Sequence, residues 1–80
     1  MPVYHYVWTD ENTDHIRQHG ISEAEFEHAV DRAPKKAEVT QPNGRIRIEG
    51  RTVDGRRVRC IFERIDELWV YPITAHEVEE

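Results

Sequence analysis

The sequence predicts an α+β domain: an N-terminal strand, two short helices, then a three- to four-stranded antiparallel meander with both helices on one face of the sheet. Three observations carry this expectation. The stretch from Gly44 to Glu63, GRIRIEGRTVDGRRVRCIFE, alternates apolar and charged residues in two runs around an Asp-Gly turn. Phe26, Ala29, Val30 and Ala33 recur at the i, i+3, i+4, i+7 spacing of a helix lying on a sheet. Turn residues fall between these segments, at Pro34, Gln41-Pro42-Asn43-Gly44 and Asp66-Glu67.

Taken in order, Tyr4, Tyr6 and Trp8 with Val3, His5 and Val7 between them form a first strand of high β-propensity. Thr9 or Asp10 caps a short helix running to about His19, with Gly20 as its C′ residue. Ile16 is the only large aliphatic residue of that helix, so it is short and half exposed. Ser22 and Glu25 form a capping box for the second helix, and Ile21 and Phe26 stand at the positions of a hydrophobic staple. Pro34 ends it. Ala37–Thr40 is a short strand ahead of the turn at 41–44. After the central hairpin, Trp69, Tyr71 and Ile73 share a parity, and pairing Phe62 with Tyr71 and Cys60 with Ile73 extends the apolar face. Pro72 requires the far end of that strand to lie at an edge or a bulge. Residues 74–80 fit one helical turn or a tail. The whole chain, 1–80, reads as one domain.

The hairpin register follows from keeping the apolar faces together. A two-residue Asp54-Gly55 loop would set Arg47 opposite Phe62 and Arg51 opposite Val58. A three-residue loop, Val53-Asp54-Gly55 with Gly55 left-handed, pairs Ile46 with Phe62, Ile48 with Cys60 and Gly50 with Val58 instead. The other face then sets Arg45 against Glu63, Glu49 against Arg59, and Arg51 against Arg57. No carboxylate stands directly opposite Arg47, Arg51 or Arg57 in this ladder. Like charges face to face are destabilising, and an anion would relieve them.

Composition narrows the function. The chain is 38% hydrophobic and 34% charged, hydrophilic but too patterned for disorder. No run is long enough to cross a bilayer, and Met1–Trp8 has no signal-peptide pattern. Cys60 is the only cysteine and lies on the apolar parity, which reads as a small core residue in a reducing compartment and makes cytoplasm the expected location. The net charge of −5 is segregated: residues 34–64 carry nine Lys and Arg against four acids, while residues 1–33 and 65–80 are acidic. A basic middle between acidic ends predicts one positive surface. His15 and His19 have helical metal-ligand spacing but no fitting third ligand nearby in sequence, so no metal and no cofactor are expected. Trp8 and Trp69 read as core residues.

Trp8-x-Asp10-Glu11, His19-Gly20-Ile21-Ser22, Gly44-Arg45, Gly50-Arg51-Thr52, Gly55-Arg56, Phe62 and Ile73-Thr74-Ala75 occur in the order seen in BrnT-type toxins, which the chain resembles from about Val7 to Ala75. These are small RelE-fold ribonucleases of bacterial toxin–antitoxin pairs. The His15…His19-Gly20-Ile21-Ser22 segment also resembles a group of small uncharacterised domains of related fold. The resemblance implies a RelE-like fold, a small DNA-binding antitoxin as partner, and metal-independent RNA cleavage by attack of a 2′-hydroxyl on the neighbouring phosphate. It implies that Arg51 and Arg57 stabilise the phosphorane and that Arg45 or Arg47 hold flanking phosphates. The chain departs from the pattern where BrnT-type sequences place an arginine after the last strand and then a basic helix. Here that position is His76, followed by Glu77-Val78-Glu79-Glu80. The histidine there is a candidate general acid or base.

Two other classes fit the same residues. One is a non-catalytic relative whose arginine face binds nucleic acid or an acidic protein partner. The other is a small structural domain whose face of Arg–Glu pairs serves solubility, with homodimerisation through an exposed edge strand.

Overall fold

The computed structural model describes residues 4–79. Expectations that fall on Val3 and Glu80 lie outside the described residues. The chain forms β1 (His5–Tyr6), α1 (Asp10–Gln18), α2 (Glu23–Arg32), a 3-10 turn (Lys35–Ala37), β2 (Val39–Thr40), β3 (Ile46–Arg51), β4 (Arg57–Arg64) and β5 (Trp69–Glu77). Two helices therefore lie with one five-stranded mixed sheet of order β1-β5-β4-β3-β2. Strands β2 to β5 are the antiparallel meander, and β1 joins it parallel to β5, pairing His5 with Trp69 and Tyr6 with Val70.

Both helices start as their sequences require. The Thr9 hydroxyl accepts from the Asn12 amide while the Asn12 side chain accepts from the Thr9 amide, and Ser22 and Glu25 make the same reciprocal pair. Each box satisfies two amide donors that a helix N-terminus leaves without intrahelical partners. Ile16, Ile21, Phe26, Ala29 and Val30 pack against Ile46, Ile48, Val58, Cys60, Phe62, Val70 and Ala75 to form one core on one side of the sheet. Cys60 is fully buried, and burial pushes its thiol up to about 12, which rules out a thiolate nucleophile near neutral pH.

The central hairpin has the register its buried face demands: Ile46 with Phe62, Ile48 with Cys60, Gly50 with Val58. The Thr52 amide donates to the Arg56 carbonyl at 2.9 Å, leaving Val53-Asp54-Gly55 as the loop, with Gly55 at φ +89°. Gly50 has a separate reason to be glycine. A Cβ there would stand 2.4 Å from the Ala29 carbonyl oxygen, so α2 can approach β3 only over a residue without a side chain.

Several expectations are corrected. The first strand is two residues, because β1 pairs only with the start of β5 before α1 begins. Ala37 belongs to the 3-10 turn, so β2 is shorter than expected. The partners of Phe62 and Cys60 on β5 are Pro72 and Ala75, not Tyr71 and Ile73, because the register shifts between Ile61 and Phe62. That irregularity accommodates Pro72 and brings Val70, Pro72 and Ala75 to the core. Trp69 is consequently 44% exposed and stacks on His5 with ring centroids 4.9 Å apart. Residues 74–77 are neither helical turn nor tail but the end of β5.

Substituting Gly50→Ala should cost about 1–3 kcal/mol, since overpacking displaces backbone rather than a flexible side chain. Urea unfolding of the two proteins measures this directly.

Candidate anion-binding face

With Ile46, Ile48, Val58, Cys60 and Phe62 turned to the core, the pleat turns Arg47, Glu49 and Arg51 of β3 and Arg57, Arg59 and Ile61 of β4 to the opposite face, which α1 borders on the β5 side. On β5 the neighbours across the ladder are His76 opposite Arg59 and Thr74 opposite Ile61. The structure thus brings Arg51 and Arg57 together as a directly facing pair. It sets His76 one strand further on, beside Arg59. Arg47 stands near the start of β3 on the same face, opposite Ile61. Arg45 does not join this group: it precedes β3 at the opposite end, where its Nε donates to Glu63 at 3.2 Å.

Glu49 sits at the centre. Its carboxylate receives Arg59 at 2.8 Å and Arg57 at 2.7 Å. The first pair was legible in the register. The second is diagonal, two residues along β4, and gives Arg57 a carboxylate partner that the directly opposite position does not. The hydrogen bond from Arg59, together with that from Arg57, holds the Glu49 carboxyl below its ordinary value. Glu49 is therefore an ionised structural acceptor and not a base poised near neutrality. Arg51 is exposed, and its guanidinium donates to the Gly55 carbonyl at 2.9 Å, which curls it over the hairpin loop. Arg47, Arg51, Arg57 and Arg59 against Glu49 leave this part of the face positive.

Helix α1 adds a feature the sequence did not reveal. The Asn12 side chain, 3% exposed, donates to the carbonyls of Val7 and Pro72 at 2.9 and 3.1 Å, fixing α1 beside β5. At the end of α1, the His19 ring centroid lies 6.2 Å from that of His76 and 6.0 Å from that of His15. A row of three imidazoles thus leads from the helix to the arginine face. The nearness of His19 to His76 depends on the β5 register, which the bulge hides from sequence. Among the described residues no cluster of three or more His, Cys, Asp or Glu side chains is arranged to hold a metal ion.

Arg56 is the hairpin arginine that points the other way. It reaches Glu25, Asp54 and Glu77 and the Gly20 carbonyl, tying the loop to the start of α2. The Thr52 hydroxyl bonds Asp54 and also accepts from the Arg56 amide at 3.1 Å. These contacts hold the loop and the Arg51–Arg57 pair in place.

No family model, curated protein or solved structure matches this chain.

Because the Glu49 carboxyl is depressed, its pairing contributes fully above the usual glutamate range and is lost only as the pH falls through the depressed value. Replacing Glu49→Gln at neutral pH should lower thermal stability slightly and tighten binding of a fluorescent polyanion probe to this face. Removing one carboxylate beside two guanidinium groups is worth about 1 kcal/mol in a solvated site, roughly fivefold in affinity. Fluorescence titration at fixed salt reads the second effect and thermal melting the first.

Proposed function

We propose that the chain is a RelE-like ribonuclease of the BrnT-toxin type, acting on RNA from the arginine face of its sheet. One observation carries the reading. Arg51 faces Arg57 and, next along the same face, Arg59 faces His76, so three guanidinium groups and one imidazole share one end of the sheet. The element order of strand, two helices and antiparallel meander supports the same reading, although β1 lies parallel to β5.

In the proposed reaction the 2′-hydroxyl loses its proton and its oxygen bonds to the adjacent phosphorus. The bond from phosphorus to the 5′-oxygen then breaks, and that oxygen takes up a proton. The products are a 2′,3′-cyclic phosphate and a 5′-hydroxyl. Negative charge grows on the non-bridging oxygens in the pentacovalent state, and Arg51 and Arg57 are placed as its bidentate donors. His76 accepts the 2′-hydroxyl proton, and the departing 5′-oxygen takes its proton from water, after which the imidazolium returns its proton to solvent. Arg47 holds a flanking phosphate along β3, and Arg45 could meet the strand only farther along, beyond the reacting centre. A small DNA-binding antitoxin is the partner in this reading.

The Glu49 bridges favour a second reading, a face that binds single-stranded nucleic acid without cutting it. Arg57 and Arg59 are already engaged by a carboxylate, and a catalytic phosphate would have to compete for them.

Induction in a bacterial host, with growth and total RNA integrity followed, separates the two. Cleavage predicts growth arrest with RNA loss, abolished by Arg51→Ala or Arg57→Ala. On purified protein each substitution should lower the cleavage rate about 10²–10³-fold, the usual cost of one oxyanion donor. An oligonucleotide with a single 2′-deoxy residue should resist cleavage at that residue. Normal growth and intact RNA at good soluble expression, with salt-sensitive RNA binding in vitro, would select the binding reading.

A further inference from the structure

The sheet has an edge that its own chain leaves half covered. Strand β2 pairs only with Arg47 and Ile46, through Val39 and Thr40. Strand β3 continues to Arg51, and no strand among the described residues pairs with Ile48–Arg51 on that side. The hydrogen-bonding alternation is fixed at both ends of β3. Thr52 bonds Arg56 across the β3–β4 hairpin, and Gln41 bonds the Arg45 carbonyl on the β2 side. Arg45, Arg47, Glu49 and Arg51 therefore direct their backbone groups away from β4, toward the β2 side. The Arg51 carbonyl accepts from the His28 ring at 3.1 Å, which closes the far end of the edge. The Glu49 amide and carbonyl lie between β2 and that closure.

Beside this edge runs a groove of about 470 Å³, lined by His28, Arg32, Ala33 and Pro34 with Glu49, Gly50 and Arg51. Its helix-side wall has the small apolar surface of Ala33 and Pro34. Its charged groups are mainly cationic: Arg32 and Arg51 line it, and Lys35 and Lys36 follow Pro34 in the chain. Glu49 is the one acid among the lining residues, and its carboxylate is taken up by Arg57 and Arg59. β2 cannot extend into this space, because the residues before it turn away as the 3-10 helix.

We propose that the Ile48–Arg51 edge of β3 is a docking site for an extended acidic segment of a partner protein, which adds to the sheet in line with β2. Strand addition to an exposed edge supplies main-chain hydrogen bonds, and side-chain pockets supply selection. A residue paired with Glu49 would share its face, between the side chains of Arg47 and Arg51. Arg57 and Arg59 bridge the Glu49 carboxylate opposite, so a second carboxylate there meets four guanidinium groups against one acid. Its neighbours would face the other way, onto Ala33 and Pro34, and short apolar side chains suit them. Alternating acidic and β-branched residues meet both demands. The site shares Arg47 and Arg51 with the open face, but its main-chain edge and its Arg32–Pro34 wall are its own, so the proposal does not require that face to cleave RNA.

The probe is a fluorescein-labelled seven-residue peptide of alternating glutamate and valine. Its controls are the same peptide with lysine for glutamate, and a version N-methylated at alternate amides. Binding is read by anisotropy on the intact protein, and amide exchange follows Glu49. Saturable binding of the acidic peptide is expected, with protection of the Glu49 amide and no binding of the lysine or N-methylated forms. Arg32→Glu, an exposed substitution whose fold is checked by its thermal melt, should weaken it by about tenfold. The proposal is overturned by absence of binding, or by equal binding of the N-methylated peptide. It is also overturned by unchanged binding in Arg32→Glu, which would place the peptide outside the groove. Concentration-dependent dimers that protect Glu49 without peptide would overturn it too, since the edge would then belong to a second copy of this chain.

Discussion

The registration of β3 against β4 is the constraint on which the rest of the molecule depends. The pleat gives each residue one of two destinations, and a shift of one position would exchange them all. The Thr52–Arg56 bond with Gly55 in left-handed conformation fixes which set goes where. Ile46, Ile48, Val58, Cys60 and Phe62 meet the helices, and Arg47, Glu49, Arg51, Arg57 and Arg59 meet solvent. Gly50 then permits α2 to lie directly against β3. One hairpin thus makes the core and the candidate site together, and neither can be moved without the other.

Two arginine systems leave this hairpin in opposite directions. Arg56 joins the helix side, where Glu25 serves both as the capping acid of α2 and as an ion-pair partner. Arg57 and Arg59 join the open side, where Glu49 receives both. These groups are partly solvated, so each pair contributes little to stability, on the order of 0–1 kcal/mol. Their larger effect is geometric. Glu49 holds two guanidinium groups at a fixed spacing and removes part of the repulsion that Arg51 and Arg57 create. A face arranged this way is ordered before any ligand arrives, which lowers the ordering cost of binding an anion.

How much of this was legible in the sequence differs from strand to strand. The β3–β4 register was readable because strict alternation and an Asp-Gly turn act on the same residues, and only one loop length satisfies both. The caps at Thr9 and Ser22 were readable because capping is local. The pairing of β5 was not, since a bulge adds a residue without a signature beyond Pro72, and it moved Tyr71, Ile73 and Trp69 off the core face. That same shift placed His76 opposite Arg59 and near His19, neither of which spacing could reveal. The diagonal Glu49–Arg57 contact was missed because a ladder read one pair at a time sees only opposite partners. The role of Asn12 in tying α1 to β5 depends on a contact sixty residues away in sequence.

The central claim is that the sheet face around Glu49 is an anion-binding surface. Its most direct test is a titration of isotopically labelled protein with a short single-stranded RNA, following backbone amides and arginine side chains by NMR. The account predicts saturable shifts concentrated at Arg47, Arg51, Arg57, Arg59 and His76, weakening with salt, while the helix-side residues Val30 and Ala33 stay still. Shifts centred on the helices, or no saturable shift at low salt, would contradict it.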